Sequence, residues 1–298
     1  MSRYRWVDSQ RAEGFEVTAA CTVAEVSTSA YYGWHARVAA GPSEAEWDEA
    51  ILVNEMHQVH DHLDDTYGSP RMTDELRARG FCVNHKRIER LMNENGLRAK
   101  DGRRRKLRTT IPDVSAPPLP DLLGRDFAPG EPGERTCGDI TYIPTDQGWL
   151  YMADVLDLGS RRVVGYALAD HMRSELVESA LEMAVATRGE DVAGMVFHHD
   201  RGAQYMGRDF RALCERHDIA QSVGRIGSSQ DNAAAESFWA TLKRELVSRY
   251  RFASRAEARR AIVWWINHYN ARRRHSSIGN VTPLEWELRC ARRRLQAA

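Results

Sequence analysis

The chain has 298 residues, 42% of them apolar, with 42 Lys and Arg against 42 Asp and Glu. That suits roughly two globular domains with a sizeable core. No apolar run approaches the roughly 20 residues of a spanning helix, Met1 to Asp8 lack the apolar core of a signal peptide, and Cys21, Cys82, Cys137, Cys214 and Cys290 form no Cys-x-x-Cys pair; a soluble cytoplasmic protein with free thiols is predicted.

Zero net charge hides strong polarity along the chain. Residues 44–65 hold eight acids and no Lys or Arg, whereas residues 86–108 hold ten Lys and Arg against three acids. Arg272-Arg273-Arg274 and Arg292-Arg293-Arg294 add basic clusters near the end. Such blocks point to a polyanionic partner that the total conceals.

Residues 1–42 read as a short helix, a Val-Ser-x-Ser turn and a second helix carrying Tyr31, Tyr32 and Trp34. In residues 43–99, Ile51, Val53, Met56 and Val59 give one apolar helical stripe. A helix opening near Pro70 is stopped by Gly80, and a last helix runs from Asn84 to Asn95 and is closed by Gly96. His57, His60 and His62 have only Cys82 nearby, one thiol short of a two-His, two-Cys zinc site, so a polar face or a phosphate contact is expected of them. Residues 100–132 combine Arg103, Arg104 and Arg105 with six of the chain's ten prolines and read as a basic linker. Next to a catalytic domain it would lie along a nucleic-acid backbone and gain affinity through counterion release, without sequence choice.

From residue 133 the pattern changes to strands. Ile140, Thr141, Tyr142 and Ile143 mark a strand ended by Pro144, Thr145 to Gly148 make a turn, and Trp149 to Asp157 return as a hairpin. Arg161 to Ala167 form a third strand, followed by a helix over 174–187, a strand ending at Asp200, a helix, a short strand near 221–223 and a helix carrying Glu236. Asp231 and Asn232 are N-cap candidates for that last helix. Asp139 lies inside an apolar strand, where a lone carboxylate is costly and needs a partner or a cation. Asp200 lies where a strand gives way to a Gly-containing loop, the end at which open α/β sheets place ligands. Glu236, Ala240 and Lys243 share one helical face. A helix over 255–272 with Ile262, Trp265, Ile266 and Tyr269 on one side is expected to pack as core.

Asp139-Ile-Thr-Tyr-Ile, His198-x-Asp200-Arg-Gly-x-Gln204-Tyr and Asp231-Asn232-Ala-x-x-Glu236-Ser-Phe-x-x-x-Leu-Lys243 occur in this order, with 35 residues between Asp200 and Glu236. They resemble the acidic triad of retroviral-integrase-like transposases, more narrowly the OrfB product of the IS-three family of bacterial insertion sequences. The resemblance implies an α/β ribonuclease-H-like (integrase) catalytic core over 133–250, an N-terminal all-α helix-turn-helix region and a helical C-terminal extension over 251–298. Tyr67-Gly-Ser-Pro-Arg71 and the helix after Asn84 match a second helix-turn-helix block of the family, in which Lys86, Arg87 and Arg90 occupy the half that reaches base edges.

The implied chemistry is metal-dependent transfer of DNA strands, cutting one strand at an element end and joining it to the other end, with later integration. Asp139, Asp200 and Glu236 would hold two Mg²⁺ ions, with Mn²⁺ able to substitute, one ion serving the attacking oxygen and the other the leaving 3′ oxygen. No covalent protein intermediate is required. Lys243 would contact terminal phosphates, while His198, Gln204 and Asn232 would orient groups behind the ligands. Arg272, Arg273 and Arg274 would touch DNA. The implied partners are the element's terminal inverted repeats and target DNA, further copies of the chain on that DNA, and an upstream OrfA product or fusion; nucleoid association would follow from DNA binding. Two departures stand out: Thr136 where the family usually has Trp, and His199 where Ser is frequent. A catalytically dead DNA-binding regulator of transposase origin, or a ribonuclease H, is the alternative reading.

Overall fold

The computed structural model describes residues 2–99, 119–189, 192–224 and 232–297. It divides into two compact units, Met1–Ala99 and Lys100–Ala298. Among the described residues no helix is long and apolar enough to cross a membrane.

The first unit is helical. α1 (Arg3–Ala12), α2 (Val17–Val23) and α3 (Thr28–Ala40) close around Val7, Ala20, Cys21 and Tyr31. Ser27 caps α3 by accepting the Ala30 N–H, and Glu25 bends the chain between α2 and α3 in the left-handed region, φ 54°. α4 (Glu44–His62) starts with a complete capping box between Ser43 and Glu46, which satisfies two otherwise orphaned N–H groups. α5 (Ser69–Ala78) and α6 (His85–Glu94) follow, and Asn84 accepts the Arg87 N–H as the α6 cap.

The buried stripe of α4 is Leu52, Met56 and Val59, continued by Leu63 just past its end, packed on Met72, Leu76, Ile88 and Leu91. This corrects the predicted stripe: Ile51 is 52% exposed. Steps of four, three and four residues keep one face, and Ile51 falls about 100° off it. His60 is buried against Asp65, Nδ1 to Oδ1 2.9 Å, so this histidine has an acid for a partner.

In the second unit the described strands are β1 (Arg135–Thr145), β2 (Gly148–Asp157), β3 (Val163–Ala169), β4 (Val196–His199) and β5 (Ala220–Val223). They form one sheet in the order β3-β2-β1-β4-β5, antiparallel from β3 to β1 and parallel from β1 to β5. Pro144 does not end β1 as predicted; it pairs with Trp149 inside the strand. β4 covers only Arg135 to Cys137, so among the described residues β1 has no second neighbour from Gly138 to Pro144, and a residue lacking an N–H is tolerated there.

One side of the sheet is covered by α7 (Ser174–Thr187) and α9 (Arg208–Arg216), burying Leu176, Leu181, Phe210 and Leu213. Contact with α7 is close: a Cβ on Gly165 would lie 2.1 Å from the Ala180 carbonyl oxygen. The other side carries α10 (Ala233–Leu242) and α11 (Arg255–Ala271), which bury Phe238, Trp239, Ile262, Trp265, Ile266 and Tyr269. Trp265 and Tyr269 are core, as expected, whereas Trp264 on the same helix is 61% exposed.

A π-helical turn, Lys243–Val247, continues α10, and α12 (Pro283–Ala297) ends the described chain. Residues 251–297 fall in the same compact unit as the sheet. A charged network keys α12 to it: Glu287 accepts from Arg162 at 2.7 Å and from Arg188 at 2.8 Å, and Arg188 also reaches Asp157 at 2.7 Å.

Candidate active site

The parallel pairing of β1 with β4 sets the site. Asp139 sits on β1 two residues past its last contact with β4, and Asp200 follows the end of β4 directly. The two acids, 61 positions apart in sequence, thereby come to neighbouring strand ends. Gly138 is needed for this approach: a Cβ there would lie 2.5 Å from the Phe197 ring and 2.8 Å from the Asp154 carbonyl oxygen.

Each acid is held locally. The Ile140 N–H donates to Asp139 Oδ1 at 2.7 Å, and the Gly202 N–H donates to Asp200 Oδ1 at 2.9 Å. Glu236 stands in the first turn of α10 and is exposed. Asn232 does not cap α10 with its side chain, as its residue type suggested; its Nδ2 donates to the Gly138 carbonyl at 3.2 Å. The amide therefore ties the start of the Glu236 helix to the strand residue next to Asp139. Asp231 lies outside the described residues.

The charges of this group act on one another. Burial, and next the Asp200 carboxylate, push Asp139 from 3.8 up to about 7; Glu236 adds to the rise, while the Ile140 N–H and Lys243 oppose it. Asp139 thus feels both other acids and the lysine. Among the described residues, however, no three His, Cys, Asp or Glu side chains stand close enough to hold a metal ion. The acids are gathered electrostatically without forming a closed cage.

The remaining candidates separate into those beside this group and those turned elsewhere. Lys243 lies over the Tyr142 ring, Nζ 5.3 Å from its centroid. His198 is buried and pairs through Nδ1 with Ser222 Oγ at 2.9 Å, bracing β4 against β5. Gln204 donates to the Met172 carbonyl at 3.2 Å. In the triple-Arg run, Arg272 is exposed and Arg274 donates to the Asn280 carbonyl at 3.1 Å. Arg273 is buried and forks onto Glu245, which corrects its expected place on a DNA-facing surface. In the first unit Lys86 is exposed, whereas Arg87 and Arg90 reach Glu49, at 3.6 and 2.5 Å. Arg103, Arg104 and Arg105 lie outside the described residues.

Thr136 and His199 fill their unusual positions without leaving gaps. Thr136 is fully buried and its Oγ1 donates to the Val196 carbonyl at 3.1 Å, pinning β1 to β4 behind Asp139. His199 stacks on Tyr205, centroids 4.9 Å apart, and its Nδ1 donates to the Asp200 carbonyl at 2.6 Å. Burial lowers its pKa from 6.5 to about 4, so the ring is neutral near pH 7.

The sequence reading missed Asp154. It stands on β2 directly opposite Asp139 and is 1% exposed, and burial followed by the Asp139 charge pushes its pKa well up. Its Oδ2 is buried with no hydrogen-bond partner among the described residues. The signal was available: a turn pairing Thr145 with Gly148 places Asp139 opposite Asp154 by register.

Comparison with known proteins converges on one family. Integrase core domain models match residues 129–229 and 217–283, and an HTH-like domain model matches residues 46–106. The chain is 40% identical over 265 residues to the insertion element IS600 uncharacterized 31 kDa protein of Shigella sonnei, covering 88% of this chain and 95% of that protein. It is 34% identical over 300 residues to the transposase InsF for insertion sequence IS3A of Escherichia coli (strain K12), covering 96% and 98% of the two. Among solved structures, the HTLV-2 integrase catalytic core domain in complex with magnesium is similar at 16% identity and a TM-score of 0.42, over 53% of this chain and 97% of that one. With relatives aligned over nearly their whole length and an integrase core spanning the sheet, the chain belongs to the IS-three (IS3) family of insertion-sequence transposases.

Proposed function

We propose that this protein is a DNA transposase that cuts and transfers strands at the ends of a bacterial insertion sequence, with Asp139, Asp200 and Glu236 as its magnesium ligands. The observation that carries the reading is the parallel β1–β4 pairing, which brings Asp139 and Asp200 to adjacent strand ends, within electrostatic reach of Glu236. The donor set fits the ion. All three side chains offer hard carboxylate oxygens, and their mutual repulsion, evident at Asp139, is what a divalent cation relieves.

When bound, magnesium supplies the positive charge that an in-line displacement at phosphorus needs at its attacking and leaving oxygens. We propose two ions, with manganese as a substitute. The chain's own residues position the parts. Asn232 fastens the Glu236 helix to β1, Thr136 and His199 fix the strand ends that carry the aspartates, and Lys243 meets a backbone phosphate near the reacting end. The HTH-like segment and the basic residues 86–108 hold DNA through base edges and phosphates. The working assembly contains further copies of this chain and an upstream OrfA product.

The test is metal-dependent joining of an oligonucleotide carrying the element's end. Asp200→Asn is expected to abolish joining by at least about a thousandfold while DNA affinity stays within a few fold, since removing a ligand removes metal-assisted chemistry. Joining by Asp200→Asn at the parental rate refutes the ligand assignment.

A further inference from the structure

The hairpin between β1 and β2 carries a feature that holding metal and phosphate does not require. Trp149 is 48% exposed, though burial of an indole is among the larger stabilising gains a side chain can make. It packs on Tyr142, ring centroids 4.9 Å apart at 81°, and Lys243 Nζ lies 5.3 Å from the centroid of that same Tyr142 ring. The three groups form one continuous edge: indole, phenol, ammonium.

The edge is rigid. The Asp146 N–H donates to the Phe252 carbonyl at 2.9 Å, the Arg255 N–H to Gln147 Oε1 at 3.1 Å, and Arg255 Nε to the Trp149 carbonyl at 3.0 Å. Arg251, 87% exposed, covers Asp146 at 2.9 Å. Lys243 thus lies over one ring of the aromatic pair and Arg255 on the backbone of the other, with the Asp146–Arg251 ion pair at the adjoining turn. An exposed, pre-ordered aromatic with cations beside it is the composition of a stacking site for an unpaired base whose phosphates the cations hold.

Its place fits the reacting end. Lys243 lies over the Tyr142 ring and also acts on the Asp139 charge; Tyr142, on the opposite face of the strand, is three residues along β1 from Asp139, about 10 Å at strand rise, or the rise of roughly three stacked bases. We propose that Trp149, braced by Tyr142, stacks on an unpaired nucleotide of the DNA end within about three positions of the phosphate held at Asp139. This inference rests on the site reading given above.

The test uses two labelled DNA hairpins of one sequence, one blunt and one ending in three unpaired nucleotides, bound without divalent metal and followed by anisotropy. The intact protein is expected to prefer the unpaired end. Trp149→Ala is expected to weaken binding of that end about 5- to 150-fold, the range of one base–aromatic stack, while the blunt hairpin changes little; Trp149→Phe keeps most of the preference. A 2-aminopurine at the unpaired position is expected to be quenched by the intact protein and by Trp149→Phe, and not by Trp149→Ala. Equal losses on both hairpins, or no loss on either, overturns the proposal. Asp200→Asn separates the two readings: it is expected to keep the end preference while losing strand joining. Joining that survives in Asp200→Asn refutes the metal assignment and leaves the stacking result standing.

Discussion

Asp154 faces Asp139 directly across the antiparallel β1–β2 pair, its Oδ1 accepting the Asp139 backbone N–H at 3.2 Å. Two acids so placed cannot both carry charge cheaply: burial raises the pKa of each, and Asp154, fully enclosed, is pushed well up with the Asp139 charge adding to the rise. It therefore acts as a hydrogen-bond acceptor that fixes the Asp139 backbone. Asp154→Asn keeps a neutral group with an acceptor oxygen of the same shape, so strand joining is expected to remain within about tenfold of the parent. Asp139→Asn is expected to abolish it. Measuring joining rates of both variants with magnesium checks the difference, and equal loss in the two would make Asp154 a ligand instead.

The raised pKa of Asp139 makes a second prediction, with a definite sign. Its folded value is about 7 against 3.8 ordinarily, so between those values the folded chain binds more protons than the unfolded one. Stability from this group is complete below about pH 4 and is lost as pH rises to about 7. Asp139→Asn removes that loss. It is expected to match the parent near pH 4 and to exceed it at pH 8 by on the order of 2 kcal/mol, after allowance for screening at a half-buried carboxylate. Magnesium is expected to raise the parent's melting temperature more at pH 8 than at pH 6, and to do little for Asp139→Asn. Thermal melts across pH, with and without metal, read both effects.

Much of the site could be read from the sequence because it depends on strand order. Three strands, a helix and a fourth strand are the order of the ribonuclease-H-like fold that the motifs resemble, and if the first and fourth strands are neighbours Asp139 meets Asp200; the sheet order β3-β2-β1-β4-β5 makes them so. What the sequence left unread depends on side-chain direction. Asn232 has a strong local capping preference, yet a nearby carbonyl on β1 takes its amide, a tertiary contact overriding propensity. Leu52 and Ile51 are adjacent apolar residues, and only the packing of α5 and α6 decides which is buried. Nothing in a run of three arginines marks the middle one as internal; that follows from Glu245, 28 residues earlier, lying on a buried face of the π-helical turn.

The Arg273–Glu245 pair gives a third prediction. Nε and Nη2 of Arg273 donate to Glu245 Oε1 at 3.0 and 2.9 Å, both side chains being 5% exposed. Removing one partner of a buried pair leaves an uncompensated charge and costs about 3–5 kcal/mol. Arg273→Ala and Glu245→Ala are each expected to destabilise by that order, and the double variant by less than their sum. Arg272→Ala is expected to leave stability within about 0.5 kcal/mol and to lower DNA affinity with a shallower salt dependence. Chemical unfolding of the four variants, together with salt titrations of binding, distinguishes the internal arginine from the external one.

In the first unit, Glu49 holds the two arginines expected to face DNA, Arg90 at 2.5 Å and Arg87 at 3.6 Å, and Arg90 also reaches Glu94 at 2.9 Å. Pairs this exposed contribute about 0–1 kcal/mol, so they are weak enough for phosphates to displace. While they persist, the acids compete with DNA for the same guanidinium groups. Glu49→Gln removes the competing charge and keeps the shape, so the full chain is expected to bind duplex DNA about 2- to 10-fold more tightly at low salt, with melting temperature shifted by no more than a few degrees. Raising salt is expected to shrink the gain as the ionic contacts are screened. Arg87→Ala combined with Arg90→Ala is expected to weaken binding and to make Glu49→Gln silent in that background. If Glu49→Gln tightens binding as much without the two arginines as with them, its effect is a general charge effect and the α6 arginines are not the DNA contacts.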